Sequence, residues 1–152
     1  MIRALFKLPV FFVLLLTALM FAVAAAVPAV SYLFPGQTAV TVLLCSFGML
    51  IVFSAGSTFR KAGTTVDPRS PENASHLVCS GIYTYSRNPM YVGALLCLAA
   101  VVVFIGNPLN LLLLPVYVYF VNKLYIIPEE RALLQLFGSS FTNYKAKVRR
   151  WL

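Results

Sequence analysis

Gly81-Ile-Tyr-Thr-Tyr-Ser-Arg-Asn-Pro-Met-Tyr-Val-Gly93 is the stretch on which the chain turns from polar loop to apolar run. Asn88-Pro89 inside it is a helix-start signal. Asn is a favoured N-cap, and proline is favoured at the first helical position, where its missing N–H costs nothing. A helix is therefore predicted from Pro89, continuing through the apolar residues to Ile105. Its free N–H groups, at about Met90 to Val92, should face the polar loop and attract an anion. Arg87 stands beside them and adds a positive charge. On spacing alone two roles stay open: an anion-binding site, or a plain membrane-helix start with Arg87 reaching for headgroups.

Outward from this point the chain is mostly apolar. Of its 152 residues 61% are hydrophobic and 11% charged, against about a quarter charged in a soluble domain. Mean hydropathy is +0.87. Three further apolar runs accompany Pro89–Ile105: Leu8–Val30 and Thr38–Phe59, both uncharged, and Leu109–Ile127, whose one charge is Lys123. Ala24-Ala25-Ala26 resembles a signal cleavage site, but the run around it is too long for a signal h-region, so an uncleaved first transmembrane helix is expected. The fold class is thus all-α and integral to the membrane, with about four transmembrane helices in one domain. Residues 1–59 hold two N-terminal transmembrane helices, 60–88 a polar cytoplasmic loop, and 89–152 a helical hairpin and tail.

The net charge of +8 does not form a nucleic-acid footprint. Its basic residues sit between apolar runs, at Arg3 and Lys7, at Arg60-Lys61 with Arg69 and Arg87, and from Arg131 to Arg150. If the helices alternate, every cluster falls on one side and the uncharged turns at Pro35-Gly36 and Gly106-Asn107-Pro108 on the other, as positive-inside asymmetry requires. A multi-pass protein of a bacterial inner membrane with cytoplasmic termini is expected. On that side the sequon Asn73-Ala74-Ser75 is not a glycosylation site. Cys45, Cys79 and Cys97 include no CxxC pair, and their odd number supports no disulfide framework. His76-x-x-Cys79 lacks a visible second half, so no metal is expected.

The tail is predicted to break at Gly138, a suitable helix C′ residue. Beyond it Phe141, Tyr144, Val148, Trp151 and Leu152 share an arc of about 100° at helical spacing, with Lys145, Lys147, Arg149 and Arg150 outside it. This predicts a C-terminal interfacial amphipathic helix on an anionic leaflet.

Glu129 and Glu130 are two of only four acids. They could serve the dipole of a helix starting after Pro128. However, each lies four residues before a leucine, on the apolar arc of Leu133, Leu134, Leu136 and Phe137. Acids there need a partner: a cationic ligand, ligand hydroxyls, Arg87 or Lys123. With Tyr83, Tyr85, Tyr91 and Tyr125 the two patches suit a zwitterionic or nucleotide ligand; S-adenosylmethionine carries the matching carboxylate, cation and vicinal hydroxyls.

Gly81-Ile-Tyr83, Arg87-Asn88-Pro89-Met90-Tyr91-Val92-Gly93, Glu129-Glu130, Phe137-Gly138, Tyr144 and Val148-Arg149-Arg150, in this order, resemble the isoprenylcysteine carboxyl methyltransferase and phospholipid methyltransferase superfamily of integral membrane enzymes. The resemblance runs from Leu77 to the end. It implies an S-adenosylmethionine-dependent methyltransferase with a helical membrane fold, acting on a lipophilic acceptor: an isoprenylcysteine-like carboxylate or a phospholipid amine. It also implies a cofactor site made by Gly81, Tyr83, Arg87, Asn88, Pro89, Tyr91, Gly93, Glu129 and Glu130, with Arg87 and Glu130 as catalytic candidates. Asn88 stands where histidine is most familiar. Asn cannot be protonated near neutral pH, which leaves that position a binding or capping role. The alternatives are a membrane NADPH-dependent reductase of the sterol reductase type, whose cofactor calls for more cationic ligands than Arg87 and Lys123, and a non-enzymatic membrane protein.

Overall fold

The computed structural model describes residues 9–62 and 76–152. Arg3, Lys7, Asp67, Arg69, Glu72 and the sequon at Asn73 lie outside the described residues. No strand occurs among the described residues. The helices are α1 (Pro9–Ala26), α2 (Gln37–Lys61), α3 (Pro89–Ile105), α4 (Leu113–Val121) and α5 (Ile127–Lys147). Among the described residues each of the four expected runs is largely helical, and α3 begins and ends where the sequence places it. Gly106 closes α3 in the left-handed region at φ 72°, a conformation glycine adopts without steric cost.

α2 and α3 make the most extensive helix contact, and two glycines explain it. A Cβ on Gly93 would lie 2.6 Å from the Gly48 carbonyl oxygen, and one on Gly48 would lie 2.7 Å from that of Gly93. Small residues let helix backbones approach where lipid offers no hydrophobic drive. α1 also packs on α3 and α4. Leu16 and Met20 of α1 join Leu98, Val102, Tyr117, Val121 and Ile126 in the main core.

The two uncharged turns are pinned together by amides. Gln37 Nε2 donates to the carbonyls of Val103 and Phe104, both at 2.8 Å, at the end of α3. Asn107 Nδ2 donates to the Val27 carbonyl at 2.9 Å and to Ser31 Oγ at 3.1 Å. Asn110 Nδ2 reaches the Met20 carbonyl at 3.2 Å. The first two satisfy backbone groups at or just beyond helix ends that lipid cannot, and they place both turns at one end of the bundle.

At the other end the fourth span does not stop at Pro128. A π turn, Asn122–Ile126, joins α4 to α5. Proline lacks an N–H and its ring crowds the carbonyl four residues earlier, here that of Leu124. The wider π turn lets the helix run on. From Pro108 to Lys147 this makes 40 residues, about 60 Å at 1.5 Å per residue and twice the hydrocarbon thickness. Only part of it crosses, and the apolar run ends at Ile127.

The chain kinks at Gly138, as expected, with φ 49° and ψ −118°. The tail departs from the expected amphipathic arc. Phe141 and Tyr144 lie on the helix and are buried against protein, while Lys145 and Lys147 are exposed. The helix ends at Lys147, and Val148 is extended, so Val148, Trp151 and Leu152 leave the arc. The last residues fold back on the Arg87 loop and the π turn, where partners wait: Arg87 N–H donates to the Arg149 carbonyl at 3.0 Å, and Trp151 Nε1 donates to Asn122 Oδ1 at 3.3 Å.

Candidate functional site

The loop before α3 is built around Tyr83. Gly81, at φ 60°, opens a short 3-10 turn, Gly81–Thr84. The turn buries Tyr83 with Ala55 and Val78, and Phe59 meets the Tyr83 ring edge-on at 5.1 Å. Tyr144 Oη donates to the Tyr83 carbonyl at 2.7 Å, tying loop to tail.

Asn88 precedes Pro89, but its side chain does not cap α3. Its Nδ2 donates instead to the Arg150 carbonyl at 2.9 Å. The N–H groups of Tyr91 and Val92 donate to the Asn88 carbonyl. Two of the three N–H groups expected to be open to an anion are therefore engaged inside the protein.

The acids divide. Glu130 accepts from Arg87 Nη2 at 2.7 Å through Oε1, and from Arg150 Nη2 at 2.6 Å through Oε2. Arg87 Nη1 donates to the carbonyls of Val148 at 2.7 Å and Lys145 at 3.2 Å. Burial alone would raise the Glu130 carboxyl. The hydrogen bonds and charges of Arg150 and Arg87 outweigh burial and hold it below its ordinary range. Lys123, the other partner considered for the acids, lies over the Tyr119 ring instead, 5.7 Å from its centroid. Arg150, expected on a lipid-facing polar arc, is a member of the cluster.

Glu129 faces a cavity of about 530 Å3 between the helices, a size typical of small-molecule sites. Among the described residues it makes no hydrogen bond or ion pair. Burial, with the neighbouring Glu130 charge second, pushes its carboxyl up to about 7. Tyr83, Arg87, Asn88 and Tyr91 also line the cavity. Its remaining wall is mostly apolar, with Val10 and Val13 of α1, Met49 and Val52 of α2, and Met90 and Ala94 of α3, beside Cys97 and Tyr117. Gly81, Pro89, Gly93 and Glu130 stand behind this wall. Pro89 starts α3, Gly93 sets its approach to α2, and Glu130 fixes Arg87. Tyr125 stacks on Tyr91 with ring centroids 6.2 Å apart, and Tyr85 is exposed. Sequence reasoning missed Ser86, whose Oγ accepts from Asn88 N at 3.1 Å. It also missed Tyr117, whose hydroxyl donates to the Tyr91 carbonyl at 3.2 Å. Neither carries a local signal.

Such a fold and site define a helical membrane protein with a ligand-sized cavity, polar at the end where the basic clusters gather. The chain belongs to the phospholipid methyltransferase family, whose model matches residues 37–140. It is 40% identical over 63 residues to an uncharacterized protein of Haemophilus influenzae, covering 41% of this chain and all of that protein. It is 35% identical over 80 residues to the protein-S-isoprenylcysteine O-methyltransferase of Schizosaccharomyces pombe, covering 52% of this chain and 34% of that enzyme. The match thus spans about a third of the length of the yeast enzyme.

Proposed function

We propose that the protein is an S-adenosylmethionine-dependent methyltransferase acting on a lipophilic acceptor at the membrane, with its termini and basic clusters on the cytoplasmic side. The observation that carries this reading is Glu129: a carboxyl without a hydrogen bond or ion pair among the described residues, at the polar end of a mostly apolar, ligand-sized cavity. Carboxylate and tyrosine faces together suit a cation or ribose hydroxyls, so the residues present fit this cofactor. Tyr83, Asn88, Tyr91 and Glu129 would hold it, and when bound it supplies an electrophilic methyl group.

The chain's own contribution is positioning and desolvation. Arg87 and Glu130, the catalytic candidates, act by joining α3, α5 and the tail into one wall. The apolar wall excludes water. Among the described residues α1 and α2 each pack on α3 but make little contact with each other. This leaves a lipid-facing approach for an apolar acceptor.

Calorimetric titration of the purified protein in detergent with S-adenosylhomocysteine and with NADPH tests the reading. The thioether should bind and the dinucleotide should not. Binding of NADPH alone would replace this reading with a reductase.

A further inference from the structure

The cavity borders two different surroundings. Its approach between α1 and α2 faces lipid, which a charged, water-soluble ligand does not cross. Its other end, at Tyr83, Arg87, Asn88 and Glu129, is polar. There residues 148–151 run across the outside of the site. Arg87 N–H donates to the Arg149 carbonyl at 3.0 Å. The Arg150 carbonyl accepts from Asn88 Nδ2 at 2.9 Å and from Ser86 Oγ at 3.4 Å. The Arg150 guanidinium holds Glu130 through Nε at 3.2 Å and Nη2 at 2.6 Å. One residue thus ties the loop before α3 to the acid pair of α5. Beneath it Ser86 and Asn88 are only 2% and 8% exposed, so water has little access to either.

The segment that makes this closure is lightly held. Helix α5 has ended and Val148 is extended, so no helical ladder of hydrogen bonds secures it. The Arg150 side chain is 36% exposed, and an ion pair this open to water is weak. Trp151 adds one hydrogen bond, from Nε1 to Asn122 Oδ1 at 3.3 Å. Docking also orients a group within the site. Asn88 lines the cavity and gives its Nδ2 to the Arg150 carbonyl. Its Oδ1 is then the atom left for a ligand, since no described residue donates to it.

We propose that residues 148–151 are a strap that opens the polar end to a water-soluble ligand and closes behind it, with Arg150 as the lock. Open, the strap uncovers Ser86, Asn88 and Glu130. Closed, its Arg150 carbonyl turns the Asn88 amide so that Oδ1 is offered as an acceptor, and its guanidinium steadies Glu130 against Arg87. Arg150 is a positioning residue, acting through Asn88 and Glu130. The identity of the ligand as S-adenosylmethionine rests on the reading above; the strap serves any polar ligand of this cavity. Entry occurs only in molecules whose strap is open, so the observed association rate scales with that fraction.

Trp151 is the single tryptophan of the chain and reports on the strap directly. Binding of S-adenosylhomocysteine to the full-length protein in a non-ionic detergent is followed by stopped-flow fluorescence in the wild type, Arg150→Gln and Asn122→Leu. Each variant removes one tie. Each should raise the open fraction, and with it the association rate, by about two- to fivefold, the shift that one weak exposed contact supplies. Dissociation should quicken at least as much. Acrylamide should quench Trp151 more strongly in both ligand-free variants than in the wild type, and least in the wild type saturated with the thioether. A purely structural contact would weaken binding through dissociation alone. Association that is unchanged or slower in Arg150→Gln therefore overturns the proposal. If that variant does not fold, the same criterion is applied to Asn122→Leu, which leaves both arginines on Glu130. If the thioether does not bind the wild type, the methyltransferase reading falls and quenching alone decides the strap: equal quenching in the wild type and the variants overturns it.

Discussion

Replacing Arg87, Glu130 and Arg150 by alanine, singly and in pairs, should reveal two ion pairs of very different strength on one carboxylate. The side chains of Arg87 and Glu130 are 10% and 12% exposed, whereas that of Arg150 is 36% exposed. Removing one partner of a buried pair costs about 3–5 kcal/mol, because the other charge is left uncompensated. Arg87→Ala also frees the Val148 and Lys145 carbonyls, which can reach water near the tail. A loss of about 3 kcal/mol is therefore expected for Arg87→Ala, with a coupling to Glu130 of about 2 kcal/mol or more. For Arg150, solvent screening reduces the coupling to about 1 kcal/mol or less despite the shorter contact. Unfolding in mixed detergent micelles, followed by circular dichroism, gives the four free energies of each cycle. Equal couplings, or one below about 0.5 kcal/mol for Arg87 with Glu130, would refute the assignment of Glu130 as the buried clamp.

Gly93→Ala should destabilise the protein by about 1–3 kcal/mol, the cost of overpacking, because its Cβ meets the Gly48 backbone oxygen at 2.6 Å; an unchanged unfolding midpoint would show that α2 and α3 are not in close backbone contact. Stability should also depend on pH through Glu129. Its carboxyl is raised from 4.5 to about 7 in the folded state, so the folded chain holds the proton more tightly than the unfolded one. The resulting stability is complete below about 4.5 and disappears as pH rises through about 7. The midpoint of the wild type should fall over that window relative to Glu129→Gln, and parallel profiles would contradict a raised Glu129 carboxyl.

Much of the architecture was readable because membrane insertion is set by local composition. Each apolar run carries its own transfer free energy, and Asn88-Pro89 and Gly138 mark backbone breaks through their own steric properties. The site was readable only as a set of residue types. Glu129 and Glu130 are chemically identical neighbours on one apolar arc, and nothing local says which of them meets the arginines. Arg150 looked like one more basic residue beside Arg149. It became a partner of Glu130 only when the tail left the helix after Lys147. The amides of Gln37, Asn107 and Asn110 likewise gave no signal, because their partners lie 66 to 90 residues away in the chain.

The sequence by itself determined four apolar runs, the start of α3 at Pro89 and the presence of an acid pair beside a basic tail. These follow from hydropathy, charge and backbone sterics, which act residue by residue. The tertiary structure alone decided that Glu130 is neutralised by Arg87 and Arg150 while Glu129 faces the cavity without a partner among the described residues. Pairing depends on which groups the packed helices bring within about 3 Å of each other, and the folded-back tail supplies the second arginine.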